Sequence, residues 1–169
     1  MSVSKDIMAK GGHSCESHRD LLFPIRKDRK AGSRIQKEIP CDVIKIQPEE
    51  EYGNYFSACF RVVKEKRKRK TPGVVTPVPD LSSYDVILLG YPVWARDMPE
   101  FVAAFMKKCQ LKGKMVIPFA TFSVSGIGST MRKLQESCRG ARIILPFEYG
   151  TLQKQNFNSW IGSIRHLLK

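Results

Sequence analysis

Two short segments hold the residues best suited to grip a ligand. Gly90-Tyr-Pro-Val-Trp-Ala-Arg-Asp-Met-Pro99 offers Trp94, a flat apolar ring in a stretch expected to be an exposed loop. Phe119-Ala-Thr-Phe-Ser-Val-Ser-Gly-Ile-Gly-Ser129 offers the hydroxyls of Thr121, Ser123 and Ser125, with Gly126 and Gly128 opening the backbone to close approach. A planar heterocycle with polar edges suits this pair. The Trp covers one ring face while N–H and hydroxyl groups bond the ring edge. No general acid–base pair stands out: Asp97 and Glu100 read as charges at a helix N-terminus and His166 as a solvated cap. No Cys or His spacing suggests a metal, and the five cysteines lack a CxxC pair and read as reduced thiols.

The elements that must position these segments are legible in the hydrophobic pattern. Asp85-Val-Ile-Leu-Leu-Gly90 and Met115-Val-Ile-Pro-Phe-Ala120 are short apolar runs, as strands buried on both faces are. Each candidate segment directly follows one of them. Phe101, Val102, Phe105, Met106 and Cys109 form a helical stripe over Met98–Lys108, with Asp97 as the expected N-cap and Pro99 in the first turn. Ile127, Met131, Leu134 and Cys138 predict a second helix stopped by Gly140. Ile143-Ile-Leu-Pro-Phe147 is a further strand, and Phe157 to Leu168 is an amphipathic C-terminal helix. Upstream, Cys41-Asp-Val-Ile-Lys-Ile46 reads as a strand nearer a sheet edge. Alternating strands and helices predict an α/β three-layer sandwich around a parallel sheet, with ligands at the carboxyl ends of the strands. Residues 47–79 read as a connection ending in a Pro- and Gly-rich loop.

The chain has 169 residues, about one domain, and a net charge of +13. Residues 1–33, 34–70 and 71–169 carry net +3, +4 and +6, so the excess is diffuse, with one cluster at Lys64-Glu-Lys-Arg-Lys-Arg-Lys70. The cluster reads as a solvated helix end or loop, and no aromatic residue interleaves with it, which argues against single-strand binding. No apolar run reaches the roughly 18 residues of a membrane span, so no membrane partner is expected and the location is expected to be cytoplasmic.

Leu81-Ser-Ser-Tyr-Asp-Val-Ile-Leu-Leu-Gly-Tyr-Pro-Val-Trp94, the Met98-Pro99 that follows, and Phe119 with Ser-Gly-Ile-Gly-Ser129 resemble flavodoxin-like proteins, in particular small bacterial flavodoxins with a Gly-x-Pro-x-Trp loop. The resemblance runs from about Arg34 to Lys169. It implies a parallel sheet of order 2-1-3-4-5 and noncovalent FMN. On that reading Tyr91, Pro92, Val93 and Trp94 flank the isoalloxazine. Thr121, Phe122, Ser123, Val124, Ser125 and Gly126 form the loop along its pyrimidine edge or ribityl side. Two departures are Ala95, where many relatives carry a second aromatic, and Ser123-Val124, where many carry paired glycines.

The larger departure lies upstream. The family begins with a central strand and a Ser/Thr-x-Thr/Ser-Gly-Asn/Lys-Thr loop that holds the phosphate at a helix N-terminus. Residues 1–33 contain no such motif, and Pro24 interrupts their best apolar run, Leu21-Leu-Phe-Pro-Ile25. The expectation is a non-matching, poorly ordered segment over 1–33, a flavodoxin-like domain over 34–169, and a sheet whose first strand is absent or degraded. Back-translating residues 20–32 and reading one base later permits Ile-Tyr-Tyr-Ser-Leu-Ser-Gly-Lys-Thr-Gly-Lys-Leu-Ala, a strand followed by the missing loop. This suggests an out-of-frame N-terminus, testable on the coding DNA.

The resemblance implies an FMN protein, either an electron carrier or a small NAD(P)H-linked flavin reductase, with a redox protein or NAD(P)H as partner and FMN phosphate binding impaired. The positive charge favours a reductase or an anionic partner over a simple carrier. Two alternatives remain: a basic module for nucleic acid or another anionic surface, and a nonfunctional truncated remnant.

Overall fold

A computed structural model describes residues 20–23, 29–122, 126–150 and 156–168, with backbone only for Asp20–Phe23, Arg29, Lys30 and Phe122. The elements run β1 (Asp20–Phe23), α1 (Arg29–Glu38), β2 (Asp42–Val43), α2 (Tyr55–Lys68), β3 (Val86–Pro92), α3 (Glu100–Lys108), β4 (Met115–Phe122), a 3₁₀ turn (Ile127–Thr130), α4 (Met131–Ser137), β5 (Arg142–Ile143), β6 (Phe147–Gly150) and α5 (Phe157–Leu167). The sheet order is β2-β1-β3-β4-β5, with β6 also paired to β4, and every pairing is parallel.

Alternation along β3 divides the core in two. Ile87, Leu89 and Tyr91 face a layer that includes Ala58 and Val62 of α2, Phe101, Val102 and Phe105 of α3, and Leu134 of α4. Val86 and Leu88 face the other layer, with Ala31, Ile35 and Ile39 against the sheet on one side and Phe157, Trp160, Ile161 and Ile164 of α5 on the other. This is the three-layer sandwich that continuous apolar strands require, since neither sheet face can be left to water. Gly90 lies opposite Phe119 of β4. A side chain there would run into the Phe119 ring of β4.

The expectation of an absent or degraded first strand is corrected. Asp20–Phe23 lies between β2 and β3, with Leu21 opposite Asp42 and Ile87, and Leu22 opposite Val43 and Leu88. The strand ends at Phe23, ahead of Pro24 in the sequence. Arg29–Glu38 likewise begins before Arg34, so the described fold reaches back into the segment that carries no family motif.

Two other elements differ from the sequence reading. The connection over 47–79 contains α2, 14 residues long, capped by the Asn54 side chain on the Ser57 N–H. Its basic C-terminal end is the Lys64–Lys70 cluster, so the helix-end reading of that cluster holds. The last strand is split: Ile144–Pro146 breaks the ladder, Leu145 has φ +46°, and its carbonyl accepts the Trp160 indole N–H at 2.7 Å. Pro146 cannot donate to a ladder, which places the break there.

Burial also governs the thiols. It pushes Cys138 up to about 12 and Cys109 up to about 11, from 9.0. Both stay protonated at pH 8, so native alkylation read by mass spectrometry should spare them and mark the partly exposed Cys59. Unfolding lowers both values, so the unfolded chain releases protons first as pH rises. The stabilisation is whole below about pH 9 and fades as pH climbs toward the folded values, which urea unfolding across that range measures.

Candidate functional site at the carboxyl ends of β3 and β4

The two segments singled out by composition meet at one end of the sheet. β3 ends at Pro92, and the next N–H, that of Val93, donates to the Thr121 carbonyl at 2.8 Å. Trp94 and Asp97 exchange backbone bonds, Trp94 N–H to Asp97 at 3.0 Å and Asp97 N–H to Trp94 at 2.9 Å. Between them Ala95 (φ +49°) and Arg96 (φ +61°) both sit in the left-handed region, as a type I′ turn demands. Two non-glycine residues in that region cost on the order of 1 kcal/mol or more each, and such strain gathers at sites that position a ligand. Nothing in the sequence signalled this turn, because its usual Asn-Gly or Asp-Gly is replaced by Ala-Arg.

Asp97 does not cap α3, contrary to expectation; Pro99 holds that position and makes no side-chain cap bond. Asp97 is buried. Its Oδ1 accepts the Met98 N–H at 2.8 Å, and its Oδ2 meets Lys66 at 3.1 Å and Lys133 at 3.4 Å. Lys133 also donates to the Met98 carbonyl at 2.7 Å and to Glu100 at 2.6 Å. The strained turn is thus tied to α2, α3 and α4 through two carboxylates and two ammonium groups. Lys133 is a residue that sequence reasoning missed, because its partners lie on other elements.

Trp94 is not the exposed ring that was expected. It is 3% exposed, with its ring centroid 5.1 Å from that of Tyr52. Tyr52 also packs on Phe101 at 5.3 Å and lies under the Arg61 guanidinium at 4.2 Å. Its hydroxyl donates to Glu65 Oε2 at 2.8 Å, and Arg61 Nε donates to Glu65 Oε1 at 2.7 Å. Burial and the adjacent Glu65 carboxylate hold the Tyr52 hydroxyl protonated far above its usual range. The turn after Trp94 folds the chain back, and the 47–54 connection brings Tyr52 over the indole.

Tyr91, Pro92 and Val93 are buried as well. The Tyr91 hydroxyl pairs with Thr130 Oγ1 at 2.8 Å, and burial raises its pKa, so it serves the joint between β3 and the 3₁₀ turn. Thr121 and Gly126 are partly exposed. Glu148 of β6 accepts the Ile127 N–H at 2.8 Å, and a side chain on Gly126 would collide with its carboxylate. Glu148 therefore fastens the end of the second loop. Phe122 closes β4, its side chain outside the described atoms; Ser123, Val124 and Ser125 lie outside the described residues.

A parallel sheet with order 2-1-3-4-5 and helices on both faces defines an open, doubly wound α/β fold. The flavodoxin family profile matches residues 28–164, and the chain belongs to the flavodoxin family. The match begins where the connection from β1 to α1 ends. No curated protein sequence matches the chain. Among solved structures, a candidate flavoprotein from Bacteroides uniformis is similar at 21% identity and TM-score 0.72, covering 89% of this chain and 99% of that one. A flavoprotein from Lactobacillus acidophilus, solved in complex with FMN, is similar at 17% identity and TM-score 0.65, covering 79% and 93%. An NADH:FMN oxidoreductase in its apo form is similar at 14% identity and TM-score 0.52, covering 90% and 91%.

For a flavin the donor set divides in two. On the ring side, the Val93–Thr121 junction, the exposed Ala95-Arg96 turn and Gly126 lie at the carboxyl ends of β3 and β4. The phosphate side does not fit by composition. Pro24-Ile-Arg-Lys-Asp28, between β1 and α1, contains no Ser, Thr or Gly. Hydroxyls and closely approaching backbone N–H groups are what a phosphate needs at a helix N-terminus.

Proposed function

We propose that this chain is a flavodoxin-fold protein that receives the isoalloxazine of FMN at the carboxyl ends of β3 and β4, serving electron transfer or NAD(P)H-linked flavin reduction, and that holds it weakly. The observation that supports this reading is the Val93–Thr121 junction, which sets the Trp94–Asp97 turn beside the carboxyl end of β4. The flavin would supply the redox chemistry, while the turn, Thr121 and the Gly126 backbone orient the ring. No residue here needs to move a proton. Relatives of the same fold that are described as binding or acting on FMN favour this cofactor. The partner is a redox protein or NAD(P)H, and a net charge of +13 favours an anionic one.

Titrating the purified chain with FMN, followed by quenching of flavin fluorescence, tests the reading. Weak quenching that a Thr121 or Gly126 substitution abolishes is the expected result. A protein purified yellow, with a resident flavin band, would overturn the claim of weak binding, and no quenching at any concentration would overturn the claim of a ring site.

A further inference from the structure

The outward face of α2 is built the wrong way round for a helix facing only water. Its inward side is Ala58, Val62 and Glu65. Phe56, Phe60 and Val63 follow at i, i+4 and i+7 on the outer side, with Phe56 82% and Phe60 74% exposed. A solvent-facing helix ordinarily carries polar residues there, and two protruding rings in one stripe mark a surface that is covered in use.

The cations on and just after the helix fall into two sets. Arg61 is engaged by Glu50 and Glu65, and Lys66 by Asp97. Among the described residues, Lys64, Arg67, Lys68, Arg69 and Lys70 make no ion pair. Arg67 continues the Phe56–Phe60–Val63 stripe, one turn beyond Val63, and Lys64 flanks it. The absence of aromatic residues within the basic run is therefore misleading. The helix brings two rings and the run onto one surface, apolar for its first turns and cationic at its end.

Charge complementarity names the occupant. Five cations without an ion pair among the described residues call for an anionic surface, and a short apolar stripe rimmed by lysine stems is the arrangement of a helix lying in a bilayer interface. A nucleic acid fits less well, since Val63 offers nothing to a base and the cations collect at one end of the rings instead of tracking a backbone past them. We propose that α2 docks this protein on an anionic lipid surface, with Phe56 and Phe60 entering the headgroup layer while Lys64, Arg67, Lys68, Arg69 and Lys70 meet the lipid phosphates and carboxylates. No helix of the described residues is long and apolar enough to cross a membrane. Lying on a surface needs only one apolar face, so the expectation of no membrane partner is replaced for this helix. The docking is independent of whether flavin binds.

Co-sedimentation of the full chain with vesicles of phosphatidylcholine, alone or mixed with phosphatidylserine, tests this. The chain should sediment with the mixed vesicles only, and added salt should release it. Phe56→Ser with Phe60→Ser should weaken binding roughly tenfold or more. Lys64→Glu, Arg67→Glu and Lys68→Glu together should weaken it roughly 100-fold. Phe56→Leu with Phe60→Leu should retain it, and all variants should keep the wild-type circular dichroism, since the altered side chains are exposed. Equal binding to both vesicle types, a serine pair that sediments like wild type, or tighter binding to single-stranded oligo-dT than to vesicles would overturn the proposal.

Discussion

Replacing residues 20–28 by Ile-Tyr-Tyr-Ser-Leu-Ser-Gly-Lys-Thr should tighten FMN binding by roughly 100-fold, while leaving riboflavin binding unchanged within a few-fold. The new residues restore in place the loop that the family uses for phosphate. The register is set by the structure: β1 ends at Phe23 and α1 begins at Arg29, so the Ser-x-Ser-Gly-Lys-Thr motif would occupy the end of β1 and the whole connection, up to the first residue of α1. A helix N-terminus directs free N–H groups and a partial positive charge at an anion placed there. Two charge-assisted hydrogen bonds at about 1.5 kcal/mol each give the stated factor. The replacement stops at residue 28 because Ala31 and Ile35 are already buried against the sheet and a larger residue at 31 would overpack it. Riboflavin has the ring but no phosphate, so it isolates the contribution of the loop. Equal gains for both ligands, or none for FMN, would show that the connection is not where the deficit lies. Sequencing the coding DNA around codons 20–28 gives the independent check on an out-of-frame origin.

Trp94→Ala should destabilise the protein by about 3–5 kcal/mol in urea unfolding without any flavin present, and Trp94→Phe by clearly less. The indole is 3% exposed and shares a tilted contact with Tyr52, which is itself packed on Phe101. Truncation leaves a cavity beneath Tyr52 and loosens the ring that Arg61 and Glu65 hold from the other side. A ring that merely waited in solvent to cover a flavin could be removed from the ligand-free protein at almost no cost. A measured loss below about 1 kcal/mol would therefore return Trp94 to that role.

The same residue shows where reading the chain stops. Loop position and an adjoining loop of hydroxyls and glycines pointed to a flat exposed ring. The burial of Trp94 depends on Tyr52, 42 positions upstream, and on a type I′ turn made without glycine. Neither leaves a trace in local composition. Asp97 shows the same limit. Its place before a helical stripe argued for an N-cap, yet its partners come from α2 and α4, and only packing brings Lys66 and Lys133 to one carboxylate. α2 itself was hidden because its outward face carries Phe56, Phe60 and Val63, which blurs the amphipathic period that marks the other helices.

The sequence by itself determined the fold class, buried strands read at 85–90 and 115–120, the sheet order through the family it resembles, and the pair of segments at their carboxyl ends. Continuous apolar runs admit few environments, and a strand buried on both faces must have helices above and below it. Tertiary structure alone decided that Asp20–Phe23 fills the central place in the sheet, that Trp94 belongs to the core, and that Lys133 fastens the turn beside it. Each of these is a pairing between distant residues. A backbone ladder accepts almost any side chain, a ring is covered only by what folds onto it, and a carboxylate takes whichever cation the packing brings within reach.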